Sequence, residues 1–101
     1  MNKTQYLAAR AQWKADYYTL QQRIRDGKLA LRAAHRIMGS CGAYSYQRGP
    51  EHREHNAKWV NANRGVTEAL RDRWALRKEM DAHLAALAVL KDEACRAWQA
   101  R

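Results

Sequence analysis

Large side chains recur along the first third of the chain at alternating intervals of three and four residues. The series is Tyr6, Trp13, Tyr17, Leu20, Ile24, Gly27, Leu31, Ala34 and Met38, with Arg10 in the one slot that departs from it. Such spacing keeps one face of a helix against a neighbouring helix over several turns. It predicts a helix over about 4–38, opened by Asn2 with Gln5 or by Thr4, whose side-chain oxygens can accept from orphan backbone N–H groups. A second stripe runs through Trp59, Asn63, Val66, Leu70, Trp74, Arg77, Met80, Leu84, Leu87, Lys91, Cys95 and Trp98. It predicts a second helix over about 50–97. Between them, residues 39–49 hold Gly39, Gly42 and Gly49 with Ser40 and Ser45, the chemistry of a connection. Gly39 suits the end of the first helix and Pro50 the first position of the next. Gly27 and Gly65 are the two places where a helix would break, Thr67 then serving as a further cap. The first stripe keeps its register across Gly27, which favours a continuous or mildly kinked helix.

These elements make the chain all-α and a single domain over 1–101: a long antiparallel helical hairpin with a coiled-coil-like seam. A bend centred between Tyr44 and Tyr46 would set Leu31 against Trp59, Ile24 against Val66, Leu20 against Leu70, Tyr17 against Trp74, Trp13 against Met80 and Tyr6 against Leu84. It would also pair Gly27 with Gly65, letting the helices approach closely there. In that register the second arm outruns the first from about Leu87 onward. Leu87, Leu90 and Trp98 would form an apolar overhang, and an exposed apolar patch invites a partner. Association into a helical bundle, as a homodimer or with another protein, would cover it.

Composition sharpens this picture. Apolar residues are 47% of the 101, yet many are Ala, Phe is absent, and the core should be thin. Nineteen Lys and Arg against ten acids give a net charge of +9, a field that attracts polyanions. Cys41 and Cys95 are far apart and form no disulfide framework, so a reducing compartment is the simpler expectation. Arg10, Lys14 and Asp16 interrupt any signal-like apolar run, and no stretch is long enough to span a membrane. The expectation is a cytoplasmic protein. The composition is similar to that of many small helical proteins of GC-rich bacteria and their phages.

Candidate catalytic chemistry is sparse. His52-x-x-His55 with Cys41 supplies only three zinc-type ligands and lacks the paired spacing of a structural site. Ser40 and Cys41 lie in a Gly-rich stretch, and His35 is not far away, but no orienting acid and no preceding strand complete a nucleophile. There is no phosphate-binding glycine loop. The carboxylates Glu51 with Glu54, and Asp92 with Glu93, read as first-turn and surface charges. The chain is therefore expected not to be an enzyme, with no cofactor, no metal and no small-molecule substrate.

The basic residues are more informative. Arg25, Lys28, Arg32 and Arg36 are spaced three and four apart and line one helical ridge. The connection and the start of the second helix add Arg48, Arg53 and Lys58 beside Tyr44 and Tyr46. Guanidinium groups grip phosphates and aromatic rings stack on bases. Arg25, Lys28, Arg32, Arg36, Arg48 and Arg53 are thus the expected phosphate contacts, with Tyr44 and Tyr46 stacking or packing, on nucleic acid or a nucleoprotein. The alternative is a small adaptor or inhibitor, in one version phage-encoded, that docks on another protein. Its anchors would be the aromatic loop or Leu87, Leu90 and Trp98, and as an inhibitor of a nucleic-acid enzyme it would have to occupy an acidic protein surface or the nucleic acid itself.

Overall fold

The structure, a computed structural model, describes residues 1–99. Two helices account for its regular structure: α1, Lys3–Cys41, and α2, Pro50–Gln99. They form a helical hairpin. Both run unbroken, α1 through Gly27 and α2 through Gly65.

Local chemistry explains the ends. The Gln5 backbone N–H donates to Asn2 Oδ1 at 2.8 Å, and the Asn2 N–H donates to Gln5 Oε1 at 3.1 Å. This reciprocal pair satisfies two orphan donors at the start of α1. The sequence places the end of α1 at Gly39. The helix instead runs to Cys41, and Gly42 ends it with φ 70°, the left-handed conformation that glycine adopts at low cost. Pro50 is the first residue of α2, where its missing N–H loses nothing. The Arg53 N–H closes the first turn onto the Gly49 carbonyl at 3.1 Å. Thr67 caps nothing, because its hydroxyl donates to the Asn63 carbonyl at 3.0 Å in mid-helix.

The inward face of α1 is the one the spacing predicts: Tyr6 and Leu31 are buried, and Trp13, Tyr17, Leu20, Ile24, Gly27, Ala34 and Met38 are half-buried. That of α2 differs. From Trp59 on, its buried and half-buried positions are Trp59, Ala62, Gly65, Val66, Ala69, Leu76, Met80, His83, Leu87, Leu90, Ala94 and Ala97. From Ala62 on, the stripe mostly lies one residue before the expected one, and Ala62, Ala69, Ala94 and Ala97 make up part of it. Asn63, Leu70, Trp74, Arg77, Leu84, Lys91, Cys95 and Trp98 fall on the exposed flank instead. Gly65 permits no close approach, since a Cβ built there would meet nothing within 4 Å.

The chain divides into two compact units, one of Met1–Ile24 with Ala75–Arg101, the other of Arg25–Trp74. In the first, Tyr6 meets the Trp98 ring edge-on at 5.7 Å, and Ala94 is 2% exposed. Leu87 and Leu90 are half-buried. The last turns of α2 therefore lie against the start of α1, and the expected overhang does not exist. Trp13 meets His83, one turn beyond its expected partner Met80. Their rings stack at 4.5 Å and 5°. Trp13 Nε1–H donates to the His83 carbonyl at 2.7 Å, and His83 Nε2–H donates to the Trp13 carbonyl at 2.8 Å. Tyr17 extends the stack at 5.3 Å from Trp13. Arg23 pairs with Glu79 at 2.9 Å on the surface, a contact worth little on its own.

In the second unit, the Cys41 thiol reaches the Lys58 carbonyl at 3.9 Å. Residues 43–47 then run back along the opening turns of α2, touching His52, His55 and Asn56. This loop, rather than α1, covers the start of α2. That is why the register differs from one drawn about a symmetric bend at Tyr44–Tyr46. Trp59, expected opposite Leu31, carries the ring of Tyr44 instead, edge-on at 5.3 Å.

Candidate functional site

All eight residues expected to contact nucleic acid lie in the Arg25–Trp74 unit. The connecting loop is the best-defined part of it. The Ser45 backbone N–H donates to Asn56 Oδ1 at 2.9 Å, and Asn56 Nδ2 donates back to the Ser45 carbonyl at 2.7 Å. An amide side chain thereby satisfies both backbone groups of one residue, as a strand neighbour would. Ser45 Oγ lies 3.1 Å from His52 Nδ1 and accepts from the Gln47 N–H at 3.3 Å. His55 Nε2–H donates to the Ala43 carbonyl at 2.6 Å. His52, His55 and Asn56 are spaced three and four apart, so they project from one face of α2 onto the loop.

This accounting assigns the histidines and serine to loop architecture. Among the described residues, no group of three or more His, Cys, Asp or Glu could hold a metal ion. Ser40 Oγ donates to the Ile37 carbonyl at 2.7 Å, and His35 is exposed.

What the loop presents is Tyr46, 93% exposed. Its ring meets Tyr44 edge-on at 5.3 Å, and Tyr44 in turn rests on Trp59. The tyrosine thus touches one neighbouring ring while nearly all of its surface is open. Arg48 and Arg53 follow it in sequence and are exposed. Glu51 sits in the first turn of α2, 3.9 Å from His52 Nε2, and Glu54 follows it.

Arg25, Lys28, Arg32 and Arg36 are all exposed on one ridge of α1, turned away from the seam. At 1.5 Å rise per residue, steps of three and four space these charges by roughly 4.5–6 Å. None of the four has an ion-pair partner among the described residues. Between residues 25 and 58 the chain carries seven Lys and Arg against three acids, Asp26, Glu51 and Glu54. Beside the loop, Ala34, Ile37 and Cys41 of α1 and Lys58, Asn61 and Ala62 of α2 line an open, largely apolar groove of about 450 Å³.

The residues expected to bind a protein partner lie in the other unit. Leu87 and Leu90 are shared with the seam, while Trp98 keeps 46% of its surface exposed. No helix among the described residues is long and apolar enough to cross a membrane. No protein-family model, curated protein or solved structure matches the chain.

Proposed function

We propose that this chain is a non-enzymatic binding module for nucleic acid. Arg25, Lys28, Arg32, Arg36, Arg48 and Arg53 hold phosphates, and Tyr46 stacks on an unpaired base. The observation that carries this reading is the loop: Asn56 and His55 of α2 bond its backbone, His52 bonds the Ser45 hydroxyl, and Tyr46, 93% exposed, is followed by the exposed Arg48 and Arg53. A loop whose backbone is already fixed loses little freedom on binding. Most contacts are to the backbone, so sequence preference is weak.

Six phosphate contacts predict that log affinity falls with log salt at a slope of about −4 on single strands and about −5 on duplex. Fluorescence anisotropy with labelled single-stranded DNA, single-stranded RNA and duplex measures both. Arg32→Gln should flatten the slope by about 1. Tyr46→Ala should weaken single-strand binding by about 1–3 kcal/mol, the worth of one stacked base, and spare duplex binding. Absence of micromolar binding to both DNA and RNA at low salt rejects the reading.

A further inference from the structure

The unit formed by Met1–Ile24 and Ala75–Arg101 holds a second groove, about 530 Å³, which the nucleic-acid reading does not use. Its floor is Trp13, Tyr17 and Leu87. Leu7, Ala11 and Tyr18 wall it, and Leu7 and Tyr18 are both more than half exposed. With Lys14 they recur at intervals of four, three and four along α1, a second ridge beside the seam. Two cations, Arg10 and Lys14, line the groove, and no carboxylate does. The nearest acid on α1, Asp16, accepts from the Gln12 amide at 2.9 Å.

We propose that this groove seats an amphipathic helix of a partner protein, its apolar face on Leu7, Tyr18 and Leu87 and its flanking acids on Arg10 and Lys14. Helix-in-groove recognition needs apolar anchors at helical spacing and a rim that sets orientation. Both are present, and the rim has one sign. A second copy of this chain is a poorer occupant. A symmetric contact through this face would bring Arg10 and Lys14 toward their own equivalents, and like charges across an interface oppose association. Leu7 and Ala11 in the walls and Leu87 in the floor suit leucine-type side chains. This inference stands apart from the nucleic-acid reading, whose residues lie in the other unit.

The test uses a labelled synthetic helix of roughly 21 residues, long enough to be helical, with Leu on one face and Glu flanking it. A counterpart carries Lys at every Glu position. The acidic peptide should bind the full chain in the micromolar range, about tenfold or more tighter than the basic one, and salt should shrink the gap. Arg10→Glu with Lys14→Glu should reverse the preference. Both positions are exposed, so the helices survive, and circular dichroism checks it. Leu7→Ser with Tyr18→Ser should weaken the acidic peptide without changing which peptide is preferred. Equal binding of the two peptides, no binding at 
about a hundredfold above the micromolar range, or an unchanged preference in the charge-reversed chain would overturn the proposal. So would a protein mass by light scattering that is double in the wild type and single in Leu7→Ser with Tyr18→Ser, because a second copy would then fill the groove. An oligonucleotide that displaces the acidic peptide, and whose own binding is lost in the charge-reversed chain, would assign the groove to nucleic acid instead.

Discussion

The Trp13–His83 pair offers the sharpest test of the fold, because its parts separate. Each side chain donates to the other's backbone carbonyl, at 2.7 and 2.8 Å, and the two rings stack at 4.5 Å. Both carbonyls sit inside helices, where each already has an intrahelical partner. Deleting a donor therefore orphans no buried acceptor, and each lost bond should cost about 1 kcal/mol rather than the larger penalty of an unsatisfied group. The stack should add about 0.5–1.5 kcal/mol. His83→Ala removes one bond and the stack, so about 2 kcal/mol is expected. His83→Gln, which keeps a donor but no ring, should recover about 1 kcal/mol of that. Trp13→Phe removes the other bond and some ring area while keeping a stacking face, for about 1–2 kcal/mol.

The bonds run to backbone, so they survive substitution of the opposite side chain. Only the stack joins the two side chains. A double-mutant cycle of Trp13→Phe with His83→Ala should hence be additive to within about 0.5 kcal/mol. A cycle of Trp13→Ala with His83→Ala should show a coupling of about 0.5–1.5 kcal/mol, the stack being lost once but counted twice. Urea unfolding followed by circular dichroism, at one fixed protein concentration, measures all of these. In thermal unfolding each kcal/mol should move the midpoint by about 4–8 °C. A wild-type midpoint for His83→Ala, or equal coupling in the two cycles, would refute the account of this contact.

The loop and the glycines give further expectations. Asn56→Ala removes both bonds to Ser45 and should cost about 1–3 kcal/mol; faster amide exchange at residues 43–47 checks it. Gly42→Ala forces a side chain into a left-handed conformation at φ 70° and should destabilise by about 1–2 kcal/mol in urea unfolding. Gly65→Ala should instead stabilise by about 0.5–1 kcal/mol, because the helix there is regular and the added methyl meets nothing.

The hairpin was legible because α1 is written in large residues: every slot of its stripe from Tyr6 to Met38, apart from Arg10, turns inward. The stripe of α2 was misread from Ala62 on. Where a small inward residue sits beside a large outward one, as at Ala69–Leu70 and Ala97–Trp98, a reading by size chooses the wrong neighbour. Tyr6 is buried in the unit where Ala94 is 2% exposed. The register was misplaced for a different reason. A stripe spaced by threes and fours meets its partner again after a slip of one turn, the shift from Met80 to His83 opposite Trp13, and only the loop distinguishes the alternatives. Its decisive contacts, Asn56 to Ser45 and His55 to Ala43, join side chain to backbone and leave no periodic trace in the sequence.

The same contacts join fold to proposed function. His52 and His55 carry chemistry that could suggest a metal, and here, with Asn56, they fix residues 43–47 of the connection. An unfixed loop would have to order itself on each encounter, at about 1–2 kcal/mol per residue. Fixing it within the free protein moves that cost from binding to folding. Asn56→Ala should then weaken single-strand binding although Asn56 is not among the proposed contacts, while Tyr46→Ala should weaken it with little loss of stability. If both variants lost affinity only in proportion to the fraction unfolded, the loop would be a spacer, and recognition would fall to the arginine ridge alone.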